Sequence, residues 1–353
     1  MKKEGIALNL LLKLVHMDWS SELPLDLLHL ISKKLPDLSD FIRFRAVCKR
    51  WHTAAPVTDP PRQLPWVVAT REGLPSTIRF FSLSSGKIYS INFSKAEGKR
   101  LLGSSHHYML AFDHKRCILT LLNPITRNEI PLPPTNSYWH RPIFISGDDV
   151  VVCWESSGIR TVGLCQPGDR EWKKIQIPSG ANGQMYYKGL YYVNEKETLT
   201  TKVMDIKTGA TMSTIPPLII SKITGEPRRL DYLIVSTGEL LGVCRSKWAK
   251  TVRDSKFEVY RLDEENKVPQ WVKIDSIGDR VLFLDDTIGF SLKASEFQGL
   301  KGDSIYFIAY LYPVDRDDLY EYPLCRYNMK NGRAEAALGG DLVNMSSWFF
   351  PSI

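Results

Sequence analysis

The chain has 353 residues, of which 43% are hydrophobic and 24% are charged. This is the composition of an ordinary globular protein with room for two or three domains. The net charge of +7 is modest and no run of five like charges occurs, which argues against a nucleic-acid-binding protein.

The first sixteen residues begin with Lys2-Lys3 and continue into a short apolar run, which is interrupted by Asn9 and Lys13. The run is too short to cross a membrane as a helix, and no small-x-small cleavage site precedes Met17. We expect residues 1–16 to be an unstructured extension that does not place the chain in a membrane.

Residues 23–51 carry the most distinctive pattern in the chain. Apolar side chains recur at four-residue spacing and then at i, i+3, i+4 and i+7, which predicts two amphipathic helices. The two sets are Leu23, Leu27, Ile31, Leu35 and Phe44, Val47, Cys48, Trp51. Pro36-Asp37 separates the two helices. A module of about 30 residues is too small to bury an adequate core alone, so we expect it to complete its core against a partner.

This module resembles an F-box, the motif by which substrate receptors dock onto the Skp-family adaptor of SCF-type cullin–RING ubiquitin ligases. The resemblance implies a docking face made of Leu23, Pro24, Leu27, Leu28, Ile31, Leu35, Phe44, Val47, Cys48 and Trp51. With its linker, the F-box would occupy residues 17–61. The alternative is a small helical cap that packs on the rest of the chain.

Residues 62–353 have the texture of an all-β domain, with short apolar, β-branched runs between turn-forming clusters. The turns are centred near residues 85, 125, 168, 207, 264 and 330, and steps of about 40 residues are typical of blade repeats. This spacing predicts a β-propeller of six or seven blades, with long loops or a degenerate blade in residues 224–325. A pair of β-sandwiches is the second choice.

Two further segments are distinctive: Ile277-Gly278-Asp279-Arg280 to Phe283-Leu284, and the terminal Trp348-Phe349-Phe350-Pro351. With them, the chain from about residue 20 to 351 resembles plant F-box proteins that carry a KIB-type propeller domain. It departs from that pattern at Asn128, where a glycine is common. The terminal aromatic cluster is too apolar for a free tail, so we expect the last strand to close the ring by pairing near the start of the domain.

The resemblance implies a non-catalytic receptor subunit of an SCF ubiquitin ligase. The F-box would bind the Skp-family adaptor and, through it, cullin, while the propeller recruits an unknown target protein for ubiquitination. It also implies a location in the nucleus or cytoplasm. The charge pattern and the short apolar run described above predict no nucleic-acid and no membrane partner. Two alternatives remain: a hydrolase-type propeller with structural helices, and an F-box protein that acts outside the ligase.

The sequence contains no recognisable catalytic, metal or cofactor motif. The histidines His106, His107, His114 and His140 lack the paired spacing of a zinc site, and we interpret the acidic pairs Asp148-Asp149 and Asp285-Asp286 as solvated turns. Six cysteines without a Cys-x-x-Cys pair predict reduced, mostly buried thiols in a reducing compartment. We therefore expect no catalytic residues, no metal and no cofactor.

Overall fold

The computed structural model divides the chain between Leu64 and Pro65 into two compact units. It describes residues 23–69, 76–105, 107–135, 137, 139–146, 149–156, 159–177, 182–218, 229–246, 251–285, 289–309, 323–337 and 345–351. The predicted extension, residues 1–16, lies outside the described residues. We call residues 23–64 the helical unit and residues 65–350 the sheet unit.

The helical unit contains three helices: α1 (Leu25–Lys33), α2 (Leu38–Ala46) and α3 (Lys49–Ala54). Pro24 precedes α1, where its missing N–H costs no hydrogen bond. Asp37 caps α2, because its side chain accepts a hydrogen bond from the Ser39 N–H at 3.0 Å. Both α1 and α2 contact α3. The sequence predicted α1, a second helix and the break between them. It was wrong in placing Phe44, Val47, Cys48 and Trp51 on one helix, because the extended backbone at Cys48 separates α2, which ends at Ala46, from α3, which begins at Lys49.

The sheet unit contains 25 strands among its described residues. The first seven are β1 (Trp66–Ala69), β2 (Thr77–Ser82), β3 (Ile88–Asn92), β4 (Arg100–Ser105), β5 (Tyr108–Asp113), β6 (Ile118–Leu122) and β7 (Glu129–Pro131). The next eight are β8 (Trp139–Ser146), β9 (Asp149–Ser156), β10 (Ile159–Cys165), β11 (Lys173–Ile177), β12 (Asn182–Tyr187), β13 (Leu190–Asn194), β14 (Thr201–Met204) and β15 (Thr211–Ile215).

The remaining strands complete the unit. They are β16 (Tyr232–Ser236), β17 (Glu239–Arg245), β18 (Phe257–Asp263), β19 (Gln270–Ile274), β20 (Arg280–Leu284), β21 (Gly289–Lys293), β22 (Ser304–Ile308), β23 (Leu324–Asn328), β24 (Arg333–Ala336) and β25 (Met345–Phe349). Short 3₁₀ turns lie in three of the connections, at Ser94–Ala96, Val252–Asp254 and Ala294–Glu296.

These strands form six sheets arranged as the blades of a propeller. The sheet orders are β25-β1-β2-β3, β4-β5-β6-β7, β11-β10-β9-β8, β12-β13-β14-β15, β16-β17-β18-β19 and β21-β20-β22-β23-β24. The innermost strands β25, β4, β8, β12, β16 and β21 contact one another in that order, and β22 of the sixth sheet contacts β25 of the first. The described residues therefore form a six-bladed ring. The propeller prediction is confirmed, and the sandwich alternative is wrong.

The six turns found in the sequence all occupy one structural position. Each joins the two outermost strands of a blade. In four blades an Asn or Asp begins the turn, and its side-chain oxygen accepts the N–H two residues on at 2.7–3.1 Å; these residues are Asn123, Asp205, Asp263 and Asn328. Such side chains substitute for a backbone turn contact. The sequence repeat is therefore a repeat of turn chemistry.

The C-terminal strand closes the ring, as predicted. β25 pairs antiparallel with β1, with Trp66 opposite Phe349 and Val67 opposite Trp348. Trp348 is buried and its ring meets the Phe283 ring edge-on, with centroids 5.0 Å apart. Both edges that an open ring would leave free are thereby paired.

The sixth blade departs from the pattern of the other five. It has five strands, and β20 pairs in parallel with β22, although β21 lies between them in the chain. β21 instead folds back onto the other side of β20 and becomes the innermost strand. This extra strand contributes to the wide spacing between the turns near residues 264 and 330, where the sequence predicted long loops or a degenerate blade. Residues 219–228 and 310–322 lie outside the described residues.

Asp303 holds the parallel strands in register at their shared starting edge. Its Oδ1 accepts hydrogen bonds from the Ile277 N–H at 2.7 Å, the Gly278 N–H at 2.9 Å and the Ser276 hydroxyl at 2.8 Å. Burial raises the pKa of Asp303, whereas these hydrogen bonds and the nearby Lys330 ammonium lower it. The lowering effects together are larger, so the pKa lies below its ordinary value. The distinctive Ile277–Arg280 segment is therefore one side of a structural clamp.

We expect Asp303→Ala to destabilise the propeller by about 3 kcal/mol, because three hydrogen bonds to a buried carboxylate are lost and φ is +55° at this position. Asp303→Asn keeps an acceptor oxygen and tolerates that φ, so we expect a loss of about 1–2 kcal/mol. Urea unfolding followed by tryptophan fluorescence measures both.

The lowered pKa also sets a pH dependence. A carboxyl whose pKa is lower in the folded than in the unfolded state stabilises the folded state at pH values above its unfolded-state pKa. This contribution is lost as the pH falls below about 4. The asparagine variant should lack that part of the acid sensitivity. An alanine variant as stable as the wild type would contradict the clamp.

Candidate functional site

Helix α1 is apolar on two faces, only one of which is buried. Leu28 is fully buried, whereas Leu27 and Ile31 are 46% and 42% exposed and Leu30 is 57% exposed. Residues at i, i+3 and i+4 lie on one side of a helix, so these three exposed side chains form a continuous surface. We call Leu27, Leu30 and Ile31 the α1 face. A small helical unit with a second, solvent-facing apolar surface is built to be covered by something else.

Polar contacts fix α1 to the segments that surround it. The Arg50 guanidinium donates to the Leu23 carbonyl at 2.6 Å, and His29 Nδ1 lies 3.0 Å from the Ala54 carbonyl. At the end of the helix, the Lys33 ammonium pairs with the Asp59 carboxylate. These contacts join α3 and the segment after it to α1 and to Leu23, which precedes it.

These contacts also act on the Asp59 carboxyl. Its hydrogen bond to Lys33 lowers its pKa below the ordinary value, with a further contribution from His29, whose Nε2 lies 3.5 Å from the carboxylate. The Asp59 carboxylate is exposed, so we regard the pair as an orienting contact of small energetic weight.

The ten predicted docking residues fall into three groups. Pro24, Leu27, Ile31 and Val47 are exposed; Leu23, Leu28 and Phe44 are buried; and Leu35, Cys48 and Trp51 are half-buried. The Phe44 and Trp51 rings pack against each other with centroids 4.4 Å apart. The buried members thus shape the unit from inside, and the exposed members are the ones available to a partner. Docking itself stays a prediction.

Sequence reasoning missed four exposed apolar residues of the helical unit: Leu25, Leu30, Ile42 and Val57. Leu30 lies three residues after Leu27, and this spacing was the available signal. The prediction followed one four-residue series along α1, whereas the exposed surface extends to the neighbouring row.

Exposed apolar side chains are concentrated in the helical unit. Of the twelve large apolar side chains that are exposed in the described residues, seven lie between Leu25 and Val57. The other five are scattered singly over the blades, at Ile88, Ile159, Met212, Val235 and Val268. Scattered apolar residues are normal on any surface, while a concentration marks an interaction site.

The described part of the propeller contains no group of three metal-ligating side chains. His107 packs against Tyr108 and His114 against Phe112, with ring centroids 4.7 Å apart in both pairs. His106 lies outside the described residues, as do Asp148 and Asp286.

The solvated-turn interpretation is wrong for Asp285, which is buried and accepts the Trp348 N–H at 3.3 Å. Its position beside the closing strand explains the burial.

None of the six cysteines, all of which lie in the described residues, forms a disulfide, and Cys153, Cys165, Cys244 and Cys325 are buried. Burial raises the pKa of Cys165 and of Cys325 to about 12, so these thiols remain protonated at neutral pH and are poor nucleophiles. No helix in the described residues is both long and apolar enough to cross a membrane.

Comparison with known proteins gives matches over both units. The F-box domain family matches residues 20–56, and the KIB1-4 beta-propeller family matches residues 80–331. Probable F-box protein At4g22165 of Arabidopsis thaliana is 26% identical, covering 94% of this chain and 96% of the relative. F-box protein SKIP23 of the same plant is also 26% identical, covering 82% and 84%.

Among solved structures, TolB from Acinetobacter baumannii is 10% identical with a TM-score of 0.49, covering 90% of this chain and 74% of that one. Nothing about function follows from a similarity at that level.

Proposed function

Because the chain is an F-box protein that belongs to the KIB1-4 β-propeller family, we propose that it is the substrate receptor of an SCF ubiquitin ligase. The helical unit would bind a Skp-family adaptor, which carries the cullin. The propeller would hold a target protein for ubiquitination.

The α1 face is the observation that supports this proposal most. Helix α1 buries Leu28 and exposes Leu27, Leu30 and Ile31. An exposed apolar row of this kind is typical of an unoccupied protein–protein interface. Fully burying a Leu or Ile side chain contributes about 1.5–3 kcal/mol, and three such residues together can anchor a stable complex. A purely structural cap would have no reason to leave them in water.

The proposed role needs no catalytic group in this chain. In an SCF assembly the conjugating enzyme performs the transfer, and the receptor contributes by holding the acceptor lysine nearby. The protonated, buried thiols of the propeller are consistent with a binding module. We further propose that the protein works in the nucleus or cytoplasm, in keeping with its six free cysteines.

Co-purification of the full chain tests the proposal against its two alternatives. A receptor should recover both the adaptor and the cullin in roughly equal amounts. An F-box protein outside the ligase should recover the adaptor without the cullin, and a hydrolase-type propeller should recover neither. Either of the last two outcomes would overturn the receptor assignment.

A further inference from the structure

The positive charge of the propeller is concentrated in one part of the ring. Residues 76–135 contain eight Lys and Arg but three Asp and Glu, whereas residues 136–337 contain 27 of each kind. The first segment runs from β2 to β7, and the other two strands of the first two blades, β1 and β25, contain no charged residue. Four blades are therefore neutral overall, and two neighbouring blades carry a net charge of +5.

The fold gathers most of these charges around the second blade. We call Lys95, Lys99, Arg100, Lys115, Arg116 and Arg127 the basic rim. Arg100 begins β4 and lies opposite Phe112 of β5, while Lys115 and Arg116 occupy the turn that follows β5. These three residues thus lie at one end of the β4–β5 strand pair, whereas Arg127 lies in the β6–β7 turn at the other end of β6. Arg100 and Lys115 are exposed, and the Arg116 side chain is 78% exposed.

Two of the three carboxylates in this region, those of Asp113 and Glu129, are already engaged. Glu129 binds both the Lys99 ammonium at 2.7 Å and the Lys95 ammonium at 3.5 Å. Asp113 accepts the N–H groups of Lys115 and Arg116 at 2.9 and 3.2 Å and lies 3.9 Å from the Arg116 guanidinium. Each of these two carboxylates is therefore shared among more than one positive or donor group.

Three members of the basic rim have no ion pair. Within the described part of the chain, Arg100, Lys115 and Arg127 form no salt bridge. A lone exposed cation is ordinary on a protein surface. This region differs from the rest of the propeller in its excess of basic over acidic residues, because in residues 136–337 the two are equal in number.

We propose that the basic rim of the second blade binds an acidic stretch, a run of Asp and Glu side chains, on the protein that the receptor captures. This rests on the proposed function for the partner being a protein. Complementary charge of this kind speeds encounter and selects partners. Single-stranded nucleic acid fits less well, because the aromatic rings of Phe93 and Phe112 are buried rather than offered for base stacking.

Charge reversal in the full chain tests the proposal. The variant Arg100→Glu, Lys115→Glu, Arg116→Glu is compared with Lys173→Glu, Lys174→Glu, Lys207→Glu, which makes the same change at exposed positions of the third and fourth blades. The probe is a fluorescein-labelled oligoglutamate peptide, and binding is measured by anisotropy at several salt concentrations. We expect the rim variant to bind at least about tenfold more weakly than the wild type and the control to stay within about twofold.

We also expect the affinity of the wild type to fall as salt rises, because exposed charges are screened. Equal weakening by both triple variants, or binding that ignores salt, would overturn the proposal. So would tighter binding of a labelled single-stranded DNA than of the peptide, because the rim would then be a nucleic-acid site.

Adaptor co-purification by the same variants separates this proposal from the receptor function. If the rim variant loses peptide binding but still recovers the adaptor, the proposal that the basic rim binds an acidic stretch is supported. A chain that binds peptide through the rim but never recovers the adaptor would keep the rim and remove the receptor role.

Discussion

Removal of residues 345–353 should unfold the propeller or leave it insoluble. The deletion takes away β25, leaves the edge of β1 unpaired and removes the buried side chains of Trp348 and Phe349. Losing one large buried aromatic costs about 3–5 kcal/mol, so two approach the whole stability of a typical domain, about 5–15 kcal/mol. Thermal unfolding by tryptophan fluorescence, with size-exclusion chromatography, measures the effect.

A shorter deletion is the control. Removing residues 352–353 keeps every strand of the ring and should leave both the melting temperature and the sharpness of the transition unchanged. If the chain that lacks residues 345–353 melts as sharply and at the same temperature as the wild type, closure through the C-terminal strand is wrong.

The second large effect concerns the α1 face. Leu27→Ala combined with Ile31→Ala should abolish recovery of the Skp-family adaptor while the propeller stays folded. Both side chains are exposed in this chain, so their truncation removes little from its own core. In a complex, each would cost about 1–3 kcal/mol, and every 1.4 kcal/mol weakens binding about tenfold.

Matched substitutions distinguish docking from a general loss of surface apolarity. Ile159→Ala with Val268→Ala truncates two exposed side chains on the propeller and should retain the adaptor fully. Leu28 and Trp51 are poor probes, because one is buried and the other packs against Phe44, so their loss would disturb the unit itself. If the α1-face variant still co-purifies with the adaptor, the assignment of the α1 face as the docking surface is wrong.

The sequence predicted the regular blades because their turns have local chemistry. An Asn or Asp such as Asn123 or Asp205 marks a turn by a contact two residues away, and such short-range signals are visible in a chain without its fold. Closure through Trp348 and Phe349 was also predictable, since large aromatics at a chain end must be buried somewhere.

The sixth blade was not predictable in the same way. Its parallel pairing of β20 with β22 joins strands that are not consecutive, and it depends on Asp303 reaching back about 25 residues to the Ile277–Gly278 backbone. No local pattern carries that contact. The blade number therefore remained open between six and seven until the strand order was known.

The docking residues show a second limit. Spacing identifies the apolar rows of α1, but it cannot say which row is buried within the unit and which faces outward, and so Leu28 and Leu27 were predicted alike. The basic rim shows a third limit of prediction from sequence. Its members come from residues 95–100, 115–116 and 127, and only the strand register shows that Arg100 lies at the same end of the β4–β5 pair as Lys115 and Arg116.

Calorimetric titration of the full chain with a purified Skp-family adaptor tests the central claim most directly. We predict a one-to-one complex with a dissociation constant in the micromolar range or tighter and a negative heat-capacity change, because the α1 face leaves water on binding. The α1-face variant should give no heat of binding under the same conditions. An adaptor that fails to bind the wild-type chain, or that binds the variant equally well, would contradict the account.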